Sequence, residues 1–236
     1  MAPSPDHAPD SIDEAASRLG ALADATRRRL YRHVAQARQP VSREGAAEEL
    51  GMPVHTAKFH LDKLVDEGLL EVEFRRLTGR TGPGAGRPAK LYRRSAREFS
   101  LSLPNRHYDL LSEILARAVE TAALEDAPVK EVASRVARSQ GLALGEAAAA
   151  SRAGAGCLAR LASSLEPHGY EPRIEGARML LENCPFDRIA RTHTDLVCGL
   201  NLDLVGGVAA GLGCDDLDVT LEPTRGRCCV SARSTS

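Results

Sequence analysis

The chain has 236 residues, 43% of them hydrophobic and 27% charged, with a formal net charge of -1. That length leaves room for two domains, each able to bury its own core, and no run approaches the ~18 apolar residues of a membrane span. No phosphate-cradling G-x-x-x-x-G-K-[ST], no G-x-S-x-G elbow and no H-E-x-x-H occurs, so no catalytic constellation stands out and the chain is not read as an enzyme.

The first 11 residues have neither the basic start nor the apolar stretch of a secretion signal. They read as a disordered tail, and the expected location is the cytoplasm. Residues 12–36 are helical, with a break or cap near ADATRRRLY. Ser42 is a good N-cap for SREGAAEEL, which Gly51 closes, and Pro53 opens the next helix, where its missing N–H costs nothing. That helix, through Gly68, carries Ala57, Leu61 and Leu64 at helical spacing on one side. His55, Thr56, Lys58, Phe59 and Lys63 lie on the other.

LLEVEFRRL reads as a strand, TGRTGPGAGR as a glycine-rich loop and PAKLYRR as the return strand. Helix, helix, turn, helix and hairpin in this order make a winged helix-turn-helix over residues 12–98. A helix apolar on one side and basic on the other suits a DNA major groove.

The charge distribution agrees with that partner. Residues 75–97 hold eight basic side chains and no acid, and residues 25–43 hold six arginines and no acid. The positive field sits where attraction to phosphate requires it. His55, Thr56, Lys58 and Phe59 are the candidates for base contacts, with Phe59 suited to a thymine methyl. Lys63 and Arg75 are placed at phosphates, and Arg80 and Arg87 of the wing at the minor groove or backbone. His60 is either a phosphate contact or a filler between helices. Asp24 with Arg27, Arg28 and Arg29 reads as a helix N-terminus with a solvated basic face, contact of some of these arginines with phosphate being the alternative.

Residues 103–124 form a second strong helix with Leu110, Leu111, Ile114, Leu115 and Val119 on one stripe. The stripe suits pairing with a second copy of the chain. Packing within one chain is the simpler alternative. Residues 99–151 are therefore read as a helical linker or dimerisation region. Residues 152–156 look like a linker, and 152–236 like a separate α+β unit. That unit has a helix at 156–168, a hairpin around Gly176, one long or broken helix at 185–212, and strands at 217–221 and 227–232. The fold class is mostly α with α+β.

With HTAKFHLDKL, EGLL and RTGPGAGRPAKLYRR, the chain resembles winged-helix transcriptional regulators of the ArsR-like kind. NCPFDRIARTHTDLVCGLN and RGRCCV resemble the sensor half of the SufR-like iron–sulfur repressors of actinobacterial type. The resemblance implies a homodimeric DNA-binding repressor, in some members controlled by an iron–sulfur cluster. It also implies a ligand set of Cys184, Cys198 and one of the pair Cys228 and Cys229.

All six cysteines lie in the second half of the chain. In a reducing compartment a disulfide framework is not expected. Clusters take thiolates, usually four, converging from loops and element ends. Cys184 precedes Pro185 and is expected at a helix start. Cys198 follows fourteen positions later, so both serve one site only if the intervening helix breaks, for which residues 193–195 are the place. Cys228 and Cys229 on a strand point to opposite faces. The fourth ligand is Cys214, His193 or a small molecule. Burial as small apolar residues, structural zinc and a thiol redox switch are the rival readings.

Overall fold

The structure is a computed structural model, and it describes residues 12–76, 88–99, 101–149, 156–224 and 226–235. Its contacts divide the chain into two compact units, Met1–Leu101 and Ser102–Ser236. Among the described residues no helix is long and apolar enough to cross a membrane.

In the first unit, helices α1 (Ile12–Ala23) and α2 (Ala25–Gln36) meet at Asp24, whose carboxylate accepts the Arg27 N–H at 2.8 Å and caps α2. The carbonyls that α1 leaves open at its C-terminus are taken by side chains of α2. Arg27 Nε reaches the Ala21 carbonyl at 2.6 Å, and Arg28 reaches those of Leu22 and Ala23 at 2.6 and 2.5 Å. Arg29 closes α3 in the same way, at 3.1 Å from the Leu50 carbonyl. These three arginines are helix caps, where the sequence alone suggested a solvated face.

The short strand β1 (Val41–Ser42) precedes α3 (Arg43–Leu50), and Ser42 Oγ accepts the Gly45 N–H at 3.0 Å. Gly51 closes α3 with φ at 62°, the left-handed conformation that suits glycine. Pro53 then precedes α4 (Val54–Asp66). Ala57, Leu61 and Leu64 of α4 are fully buried with Leu30, Val34, Ala46, Ala47 and Tyr92. β2 (Leu70–Arg75) and β3 (Ala89–Arg94) pair antiparallel, Val72 opposite Tyr92, and β1 adds to the other edge of β3. Two residues are too few to reveal β1 by alternation.

The second unit contains α5 (Tyr108–Glu125), α6 (Val129–Ala149), α7 (Cys157–Leu165) and a 3-10 turn at Glu166–His168. Then follow β4 (Pro172–Glu175), β5 (Arg178–Leu181), α8 (Asp187–Ala190), α9 (Thr194–Gly211), β6 (Leu217–Leu221) and β7 (Val230–Ser234). The strands form an antiparallel sheet in the order β4-β5-β7-β6. Helix α9 lies in the middle: Val205, Val208 and Ala209 pack with Leu161, Met179 and Val230, whereas Val197, Leu200 and Leu204 pack with Ile114 and Val132.

Helices α6 and α9 approach backbone to backbone. A Cβ on Gly141 or Gly145 of α6 would run into the Leu204 or Val208 carbonyl, and one on Gly207 or Gly211 of α9 into that of Arg138 or Leu142. This contact explains a difference from the sequence reading, which set residues 152–236 apart from the helices before them. The compact units divide at 101/102 instead, because α6 completes the core of the cysteine-bearing segment.

Two readings that the sequence left open are narrowed. The stripe on α5 is spent largely inside its own unit: Leu111 and Ile114 are buried against Val132 and Ala133 of α6, whereas Val119 stays 56% exposed. Residues 185–212 take the broken form of the two expected, since α8 ends at Ala190 and α9 starts at Thr194.

Candidate functional site

Helix α4 presents one face outward. His55, Lys58, Phe59 and Lys63 are exposed and Thr56 is half-buried. Phe59 is 66% exposed, an aromatic ring without cover at the middle of the helix. His60 turns partly inward, its ring 5.2 Å from that of Phe59, and its Nδ1 is buried with no hydrogen-bond partner among the described residues. Among the described residues the outward cations pair with partly exposed carboxylates: Lys58 lies 3.7 Å from Asp62, Lys63 2.8 Å from the more buried Glu67, and Arg75 2.8 Å from Glu73. Exposed pairs of this kind are worth little, so these cations can exchange carboxylates for phosphates. Arg80 and Arg87 lie outside the described residues.

Asp62 fastens α4 to the hairpin. Its carboxylate accepts hydrogen bonds from Lys90 Nζ at 2.6 Å and from the Tyr92 hydroxyl at 2.7 Å. Burial alone would raise the Asp62 pKa, but the bonds from Lys90 and Tyr92 outweigh it and hold the carboxyl below its ordinary value. Burial, then the bond to Asp62, push the Tyr92 phenol well up. The sequence reading missed this link because it joins residues 30 positions apart. It also missed Phe74 of β2, 66% exposed on the hairpin.

The second site is a group of four thiols. Cys184 and Cys228 act on one another electrostatically, and Cys229 acts on Cys198. The two pairs also feel each other, Cys184 acting on Cys198 and Cys229 on Cys228. The break between α8 and α9 is what allows this approach, because Cys198 then sits in the first turns of α9 instead of four turns along a continuous rod. Cys228 and Cys229 precede β7, which begins at Val230. Cys228 is buried there and Cys229 half-buried.

Helix α8 has four residues and begins only at Asp187, so the expected helix-start effect on Cys184 is replaced by a single Phe186 N–H bonded to its sulfur. Other donors converge on Cys228. Asn201 Nδ2 lies 3.1 Å from its sulfur, and Tyr170 holds the amide by bonding Asn201 Oδ1. The hydrogen bond from Cys184, then those from Val230 N–H and Asn201, lower the Cys228 pKa against the opposing effect of burial. Cys184 is raised by the same bond and by burial, and Cys198 by burial and its bond to Cys229. Cys228, approached by the N–H groups of Val230 and Asn201 and with three other cysteines near it, belongs to the sulfur-rich kind of donor set that an iron–sulfur cluster takes.

Two candidates from the sequence fall elsewhere. Cys214 is joined to Cys157 by a disulfide, their Cα atoms 5.5 Å apart. The first residue of α7 packs onto the turn that follows α9, and this one disulfide departs from the expectation drawn from a reducing compartment. His193 occupies the N-cap position of α9, exposed and without a side-chain capping bond.

The loop carrying Cys184 is tied to the segment that leads into α5. Arg106 donates to the Cys184 carbonyl at 2.8 Å and to Asn183 Oδ1, and Asn183 Nδ2 donates to the carbonyls of Asn105 at 2.9 Å and Gly169 at 2.6 Å. His107 N–H bonds the Pro185 carbonyl at 3.2 Å. A Cβ on Gly169, whose φ is +80°, would strike the His107 ring, so the close fit depends on that glycine.

No curated protein matches the chain. Residues 22–73 match the helix-turn-helix domain family, a span that runs from the end of α1 to β2 and contains both α3 and α4. The chain therefore carries a helix-turn-helix domain, with α4 as the helix after the turn.

Proposed function

We propose that the protein is a sequence-specific DNA-binding transcriptional repressor of the ArsR-like winged-helix kind. It acts as a homodimer, and its second unit holds an iron–sulfur cluster as in the SufR-like group. The outward face of α4 carries the reading: an exposed Phe59 beside His55, Lys58 and Lys63, on a helix whose other side is fully buried. His55, Thr56, Lys58 and Phe59 meet base edges, Lys63 and Arg75 meet phosphates, and Arg80 and Arg87 extend the contact from the wing. Val119 and Leu124, 56% and 87% exposed on α5, leave apolar surface for a second copy, and a dimer offers two recognition helices to half-sites ~34 Å apart.

The four free thiols support the cluster assignment, with Cys184, Cys198, Cys228 and Cys229 as ligands. A bound cluster supplies an oxidisable link between the Cys184 loop, α9 and the approach to β7. Arg106 and Asn183 then pass the order of that loop to residues 105–107 and so toward α5. Purification without oxygen tests the proposal: brown protein containing iron and sulfide, with DNA affinity that changes when the cluster is removed, is the expected result. Colourless, iron-free protein after anaerobic reconstitution contradicts the cluster. Loss of DNA binding in Lys58→Ala with the cluster intact tests the other half separately.

A further inference from the structure

We propose that Cys157, Cys214 and Asp216 form a second site, separate from the four free thiols, which closes as a disulfide when oxidised and takes a zinc ion when reduced. The two sulfurs and an Asp216 carboxylate oxygen all lie within 4.8 Å of one another. A tetrahedral zinc with sulfur ligands at ~2.3 Å separates them by ~3.8 Å, within the span that these three ligand atoms already share.

Contacts other than the disulfide hold the three residues together. Arg160 of α7 donates to the Leu212 carbonyl at the end of α9. Cys214 N–H bonds the Ala209 carbonyl at 3.0 Å, and Leu217 N–H bonds the Cys214 carbonyl at 3.3 Å. The Asp216 carbonyl accepts both the N–H and the hydroxyl of Thr235, each at 2.9 Å. Reduction therefore leaves the thiols facing each other, and Cys214 and Asp216, two positions apart on one turn, remain a chelating pair. Cys214 borders a solvent-open hollow of about 360 Å³ that Arg138, Asp203 and Asp215 also line, which gives reductant and ion a route in.

The chemistry balances with a dithiol reductant of the thioredoxin class. One reductant thiolate attacks a sulfur of the disulfide, forming a mixed disulfide and releasing the other cysteine as thiolate. The second reductant thiol then displaces the remaining cysteine. Two electrons and two protons have entered the site, and the reductant leaves as its own disulfide. Zinc displaces the thiol protons, and Asp216 with one water completes four ligands. In the reverse direction a low-molecular-weight disulfide accepts the two electrons, leaving as two thiols, and the ion is released.

The test uses the full chain without oxygen and zinc as the probe, with bound metal read by a chromogenic chelator and thiols counted under denaturing conditions. Reduced wild type should bind one more zinc per chain than the disulfide form, which counts four thiols where the reduced form counts six. Cys157→Ser should lose that ion and keep any metal on the four other thiols. Asp216→Asn leaves the disulfide able to form and should weaken the additional zinc at least tenfold, which keeps the test decisive if Cys157→Ser folds poorly. Equal zinc in the reduced and disulfide forms, or wild-type affinity in Asp216→Asn, overturns the proposal. Neither outcome depends on whether the other thiols hold a cluster.

Discussion

Asp62→Ala should loosen α4 from the hairpin, and the size of the effect follows from what its carboxylate holds. Tyr92 is fully buried and donates its hydroxyl to Asp62 at 2.7 Å. Removing the acceptor leaves a buried hydroxyl unsatisfied, which costs ~1–3 kcal/mol. The contacts to Lys90 and Lys58, at 2.6 and 3.7 Å, are partly solvated and add at most ~1 kcal/mol. The first unit should therefore lose ~2–3 kcal/mol, a fall of ~10–20 °C in its melting temperature for a domain of this size. Thermal unfolding followed by circular dichroism at pH 7 measures it. Tyr92→Phe placed on Asp62→Ala should recover ~1 kcal/mol, since it removes the stranded hydroxyl.

The pH dependence has a fixed sign. A carboxyl held below its ordinary pKa stabilises the fold at neutral pH, and that contribution disappears as pH falls through the folded value. The difference between wild type and Asp62→Ala should thus shrink below pH ~4. A cost under ~0.5 kcal/mol at pH 7, or no coupling to Tyr92, would refute the link between α4 and β3.

Lys58→Ala should weaken binding to the preferred duplex by ~1–3 kcal/mol and relax sequence choice, read by fluorescence anisotropy across operator variants. Lys63→Ala should instead weaken all duplexes alike and reduce the salt slope by about one. Gly207→Val places a side chain against the Arg138 carbonyl, and the overpacking should destabilise the second unit by ~1–3 kcal/mol or more in denaturant titrations. Asn201→Leu takes the N–H from Cys228 and the acceptor from Tyr170; iron retention should fall ~10–100-fold, and wild-type retention would remove Asn201 from the site.

The first unit was legible because its signals are local. Ser42 and Gly51 mark the ends of α3, and Ala57, Leu61 and Leu64 recur at helical spacing, so caps and periodicity fix α3 and α4. The second unit is set by long-range packing. Nothing near Cys214 in the sequence announces Cys157, 57 positions away, because the pairing comes from α7 docking on the turn after α9. The convergence of Cys184 and Cys198 needed a broken helix, which residues 193–195 suggested; the break falls just before, at residues 191–193. Cys228 and Cys229 lie just before β7, where alternation in the sequence does not say which of the two turns inward. The stripe on α5 was real, but periodicity records only that a face is apolar, not whether α6 or a second copy covers it.

The central claim is that α4 reads duplex DNA, and selection from random or genomic fragments followed by footprinting tests it most directly. The account predicts one enriched sequence with two half-sites ~10 base pairs apart, protected by wild type, with Lys58→Ala and Phe59→Ala losing the preference while remaining folded. Binding without enrichment, or a footprint that both variants reproduce at wild-type affinity, would contradict it.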